Sequence, residues 1–171
     1  MRLLPILLLA AACSSHPHRD PTGEAFPSVQ GEALDGAQVR IPDDFRGEPV
    51  LLLVAYKQKT QFDVDRWVLG ILQAGIDVRV VEVPTVRGWV PRLFAGQIDE
   101  GMRSGIPREE WGSVVTVYGD AADVARFTGD EGRNARVLLL DGEGRVVFFH
   151  DRGYSPATFL RLRDAAQALR R

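Results

Sequence analysis

The chain has 171 residues, 45% of them hydrophobic, with a formal net charge of −2, which suits one domain around one core. With that near-balance and no cluster of basic residues, neither nucleic acid nor an anionic membrane surface is an electrostatic partner. A single cysteine excludes an intramolecular disulfide, so the fold must rest on packing.

Residues 1–12 place one positive charge, Arg2, ahead of a short apolar run and end in Ala10-Ala11-Ala12, the pattern of a secretory signal. The run from Leu3 to Ala12 is too short for a bilayer-crossing helix, which needs ~20 residues. Its small residues stop at Cys13, and Ser14-Ser15 follow. This resembles a bacterial lipobox, departing from it at Ala10, where leucine is usual. The resemblance implies cleavage before Cys13 and acyl chains on that residue, so that the membrane becomes a covalent partner. Ser14, where enteric lipoproteins retained at the inner membrane carry aspartate, points to the outer membrane of a bacterial envelope. Residues 13–25, polar and broken by Pro17 and Pro21, are expected to form a lipidated flexible tether. His16 and His18 within it are too few ligands for a firm metal site.

The folded part, residues 26–171, opens with two short alternating segments around Asp35-Gly36, a strong hairpin signal. Val50 to Tyr56 is a continuous apolar run bounded by Pro49 and Lys57, which reads as a strand buried on both faces. The spacing of Phe62, Val64, Trp67, Val68, Ile71 and Leu72 predicts an amphipathic helix from Phe62 to Ala74, capped by Gly75. Ile76 to Val83 reads as the next core strand, Trp89 to Arg103 as a helix, and Ser113 to Tyr118 as a strand. Asp120 is placed to cap a short helix through Phe127. Val137–Leu140 and Val146–Phe149 form a hairpin, and a final helix runs from Pro156 to about Leu169 with Ser155 as its cap. Strands joined by helices and closed by an antiparallel hairpin define a mixed α/β sandwich.

Phe26-Pro27, the spacing of Gly31, Gly36 and Pro42, and Gly47 before the buried strand resemble the start of peroxiredoxin-type thioredoxin-fold proteins. Arg136 to Val146 (RVLLLDGEGRV) is similar to their last hairpin. The resemblance implies a thioredoxin-like three-layer sandwich: a central mixed sheet of about five strands, an N-terminal hairpin and flanking helices. More narrowly, Leu51–Tyr56, Val64-Asp65 with Trp67, Glu82-Val83-Pro84, Ile98 to Pro107 (IDEGMRSGIP) and Val115–Tyr118 resemble the thioredoxin-like family of mitochondrial ATP synthase assembly factors and its bacterial relatives. That resemblance implies a non-catalytic role beside a membrane-complex subunit.

In such folds the reactive cysteine follows the first core strand and opens the next helix, where amide donors lower its pKa. Here that stretch is Lys57 to Val64 and holds no sulfur; Val64 falls near the peroxidatic position and Gln61 near the usual threonine. The cis-proline of the family is replaced by Asn134-Ala135, and Arg136 beside it, with no thiolate to stabilise, is expected to be solvated or ion-paired. No catalytic residue, cofactor or metal is therefore expected. Asp43-Asp44 and Glu109-Glu110 read as solvated turns. What remains is surface: Lys57, Gln58 and Gln61 on the loop after the first core strand, with Met102, Arg103 and Ile106 on a glycine-flanked turn, form a candidate partner-binding face. Two alternatives stay open, a peroxiredoxin-like oxidoreductase using a partner's thiol and a small-ligand-binding domain.

Overall fold

The structure is a computed structural model that describes residues 15–88 and 94–170. Cys13 and the signal-like segment lie outside the described residues, as do Trp89, Val90 and Leu93 of the helix expected from Trp89. The elements are β1 (Val29–Ala33), β2 (Gln38–Ile41), β3 (Val50–Ala55), α1 (Gln61–Ala74), β4 (Arg79–Pro84), α2 (Ala95–Arg103), β5 (Val115–Thr116), α3 (Ala121–Thr128), β6 (Arg136–Leu140), β7 (Val146–His150) and α4 (Pro156–Ala168). None of the described helices is long and apolar enough to cross a membrane.

β4, β3, β6 and β7 lie side by side in that order, β3 parallel to β4 and antiparallel to β6. A second sheet, β2-β1-β5, carries the N-terminal hairpin, and isolated parallel bridges from Glu82 to Val114 and from Thr85 to Val117 lace β5 to the β4 edge. The expected sheet of about five strands is thus four in continuous ladder and a fifth joined by bridges. Side chains of β3 alternate between two cores. Val50, Leu52 and Val54 meet the hairpin and α3 through Val29, Ile41, Val124 and Phe127. Leu51 and Leu53 meet α1 and α4 through Val64, Trp67, Phe159 and Leu162. Burial on both faces is why this strand reads as an unbroken apolar run, each large side chain contributing about 1.5–3 kcal/mol.

Several local expectations need adjusting. Gly75, at φ +59, closes α1 by donating to the carbonyls of Ile71 and Leu72, and the N–H of Ile76 also turns back to Ile71. The residues after that cap are still leaving the helix, so β4 starts at Arg79 rather than Ile76. Ser113 ends a 3-10 turn, which leaves β5 only Val115 and Thr116 in ladder. Asp120 does not cap α3; its Oδ2 accepts from the Gln30 N–H at 2.8 Å and ties the helix start to β1. Ser155 does cap α4, accepting from the Thr158 N–H, with Pro156 in the first turn.

The stretch expected as a flexible tether over residues 13–25 is, from His16 onward, laid along the domain. His16 exchanges backbone bonds with Asp130, its N–H donating to Oδ1 at 2.6 Å and its carbonyl accepting from the Asp130 N–H at 3.1 Å. His18 pairs with Asp151, Pro21 is buried, and Ala25 bridges Arg145. Polar composition marks a segment as lacking its own core, but here the backbone groups and histidines find partners in the segments just after α3 and β7.

Candidate functional site

α1 begins at the carboxyl end of β3, where the redox centre of this type of sandwich would sit. Val64 is fully buried against Trp67 and belongs to the core. Its neighbour Asp63 is buried as well, at the start of the helix. Its Oδ2 accepts from the Ala135 N–H at 3.0 Å and its Oδ1 from the Tyr154 N–H at 2.8 Å. A proline at position 135 would have no N–H to offer; alanine supplies one, and the carboxylate takes it up. Among the described residues the one cis peptide bond precedes Pro42, so the bond before Ala135 is trans. Both oxygens of Asp63 are engaged, and its carboxylate holds two loops together.

Arg136 is neither solvated nor ion-paired. It is 1% exposed, its Nε donates to the Gly129 carbonyl at 3.0 Å and Nη1 to the Asn134 carbonyl at 2.8 Å, and Nη2 donates to the Glu131 carbonyl. Its guanidinium also lies 5.5 Å from the centre of the Tyr56 ring. Burial lowers its pKa, and burial raises that of the Tyr56 hydroxyl to about 12, while the hydroxyl bonds Thr128. Fixed planar donors matched to three carbonyls make Arg136 a clasp for residues 129–134.

The other side of α1 is open. A groove of about 570 Å³ runs between α1 and the segment after α2, lined by Gln61, Asp65, Val68, Leu69, Leu72, Glu82, Met102, Ile106, Pro107, Glu110 and Val114 together with Gly101 and Gly105. It brings together three of the six candidate surface residues, Gln61, Met102 and Ile106. Lys57 and Gln58 are exposed away from it, Lys57 donating to the Gly132 carbonyl at 2.9 Å. Arg103 is turned inward: its Nε donates to the Leu34 carbonyl at 2.7 Å and its guanidinium stacks 5.8 Å from the Trp111 ring. Glu110, read as a solvated turn, lines the groove. Asp43 and Asp44 are held in local pairs with Ser28 and Arg40, whose bonds lower both carboxyl pKa values.

The groove has an acidic side. Gln61 Nε2 donates to Asp65 Oδ1 at 2.9 Å and to Glu82 Oε2 at 3.4 Å. Burial raises the Glu82 pKa, Gln61 lowers it, and the like charges of Asp65 and Glu110 raise it further. The sequence reading missed this trio because Asp65, Glu82 and Glu110 come from three elements. It also grouped Phe62 and Leu72 with the apolar spacing of the amphipathic helix, whereas they are 77% and 73% exposed. The same rotation that brings the Asp63 carboxylate to Ala135 and Tyr154, and Val64, Trp67 and Ile71 into the core, turns Phe62, Leu69 and Leu72 outward. Among the described residues no three His, Cys, Asp or Glu side chains gather in a metal-holding group.

No protein-family model matches the chain, and neither does any curated protein. Solved structures do. BsSco, a member of the Sco family of cytochrome c oxidase assembly proteins, superposes with a TM-score of 0.61 at 13% identity, over 89% of this chain and 96% of that one. An SCO1/SenC family lipoprotein from Bacillus anthracis gives 0.61 at 13% identity, over 91% and 100%. The exposed lipoprotein thioredoxin of Streptococcus pneumoniae gives 0.54 at 14%, over 81% and 98%. At such identities the shared property is the overall fold alone. The chain has a thioredoxin-like fold.

Proposed function

We propose that the protein is a redox-inactive thioredoxin-like module, held at the bacterial cell envelope through acylated Cys13, that acts by binding a protein subunit of a membrane complex. The observation that carries this reading is Asp63, whose two oxygens are engaged by backbone N–H groups where a redox member of the fold would expose a thiolate. A carboxylate so held can neither attack a disulfide nor form one. The only sulfur nucleophile, Cys13, lies ahead of the folded domain, in the context that resembles a lipobox. Two of the similar structures are lipoproteins by description, and one belongs to a family of assembly proteins for a respiratory complex. Both descriptions are in keeping with an anchored assembly role. The likeness of Ile98–Pro107 to ATP synthase assembly factors favours a subunit of that enzyme as the client.

Intact mass measurement on the chain extracted from cell membranes tests the anchor: added acyl mass at Cys13, lost in Cys13→Ser with release to the soluble fraction, is expected. A full-length chain with a free thiol would overturn it. Photo-crosslinking in living cells tests the client; the reading expects a membrane-complex subunit in the adduct and fails if only thiol-disulfide partners are trapped.

A further inference from the structure

α1 shows an unusual amount of apolar surface to solvent. Phe62, Leu69 and Leu72, at helical spacing, are 77%, 55% and 73% exposed, and the last two form one wall of the groove opposite Met102 and Ile106. Side chains this exposed gain nothing for the fold, and a contiguous apolar face of this kind is the mark of an interaction site. The groove's volume lies within the ~300–1,000 Å³ typical of binding clefts.

Its charge selects among occupants. Asp65, Glu82 and Glu110 all line it, and among the described residues no lysine, arginine or histidine does, nor does any ion pair include one of the three. Among the described residues, the one side-chain donor against the partly buried Glu82 carboxylate is the Gln61 amide, shared with Asp65. Anionic headgroups would meet these carboxylates as like charges, so a lipid surface is the wrong occupant. A ligand carrying a cation next to apolar side chains supplies both what the leucine wall and what the carboxylates lack.

We propose that this groove docks a cationic amphipathic segment of a protein partner, leucine-like side chains seating on Leu69, Leu72, Met102 and Ile106 while a lysine or arginine meets Glu82, flanked by Asp65 and Glu110. The inference rests on the binding-module reading above and deepens it by naming the chemistry of the client.

The test is a fluorescence-anisotropy titration of the purified full chain against two labelled helical peptides of one length, one built of leucine and lysine, the other of leucine and glutamate. The expected result is saturable binding of the lysine peptide only, weakened at least tenfold by Leu69→Ser with Leu72→Ser, and likewise by Glu82→Gln with Glu110→Gln. Raising salt to about 1 M, where the screening length falls to ~3 Å, should weaken it too. Circular dichroism melts check that the variants stay folded. No saturable binding, equal binding of both peptides, or unchanged affinity in both double variants overturns the proposal. So does flotation with anionic vesicles, or self-association in the ultracentrifuge, that the two leucine changes abolish. Insulin reduction by the same preparation would remove the thiol-free reading itself; a failed titration without such turnover removes only the groove assignment.

Discussion

The inner and outer faces of α1 carry carboxylates two residues apart with opposite fates. Asp63, facing inward, holds the N–H groups of Ala135 and Tyr154, and nearby Arg136 spends its donors on three carbonyls. Asp65, facing outward, shares one glutamine amide with Glu82 in a groove that is lined by no cation among the described residues and is walled by exposed leucines. A polar group that is fully satisfied and buried is a structural tie; one left short of partners beside apolar surface is available to something else. On the proposed reading, the inner face of α1 is a structural tie and the outer face is the one that binds.

Removing the tie should produce the largest effect. Asp63→Ala leaves two N–H groups without their charged acceptor, and such bonds contribute about 1.5–3 kcal/mol each, so a loss of about 3–6 kcal/mol is expected. The urea midpoint should fall with little change in slope. Arg136→Met, which strands three carbonyls but also removes a costly buried charge, should lose about 2–3 kcal/mol in the same measurement.

The outer face should respond weakly. Burial and like charges hold the Glu82 pKa above its ordinary value, so in the folded chain the proton is retained to higher pH than in the unfolded one. Between those two values the native state binds the extra proton, and stability therefore falls as pH rises through the window. Glu82→Gln should flatten that fall, giving a slightly higher midpoint at neutral pH and no gain at acid pH where Glu82 is already protonated. A lower midpoint at neutral pH would mean that Glu82 is paired after all. Leu72→Ser should change stability by no more than about 0.5 kcal/mol, as for an exposed residue free of special contacts. A loss near that of Asp63→Ala would show Leu72 to be core.

The order of strands and helices was legible from the sequence, because it was written in local chemistry. The Asp35-Gly36 turn, the doubly buried β3 run, Gly75 after α1 and Ser155-Pro156 before α4 each act within a few residues. The face of α1 was not legible. Its apolar residues cover more than one side, so periodicity alone could not separate Val64 and Ile71, which are buried, from Phe62 and Leu72, which are not. The deciding contact joins Asp63 to a residue 72 positions away. A hint was present: Asp63 lies four residues before Trp67, on the face that carries the largest buried side chain of the helix. The groove carboxylates and the inward turn of Arg103 toward Leu34 likewise depend on distant elements meeting.

The most direct measurement is disulfide and peroxide turnover by the purified chain, with Cys13→Ala alongside. If Asp63 has closed the redox centre, insulin reduction and peroxide consumption stay at the rate of buffer with reductant alone, and the two chains behave identically. Turnover above that background, abolished by Cys13→Ala, would put a working thiol at the domain and contradict the account.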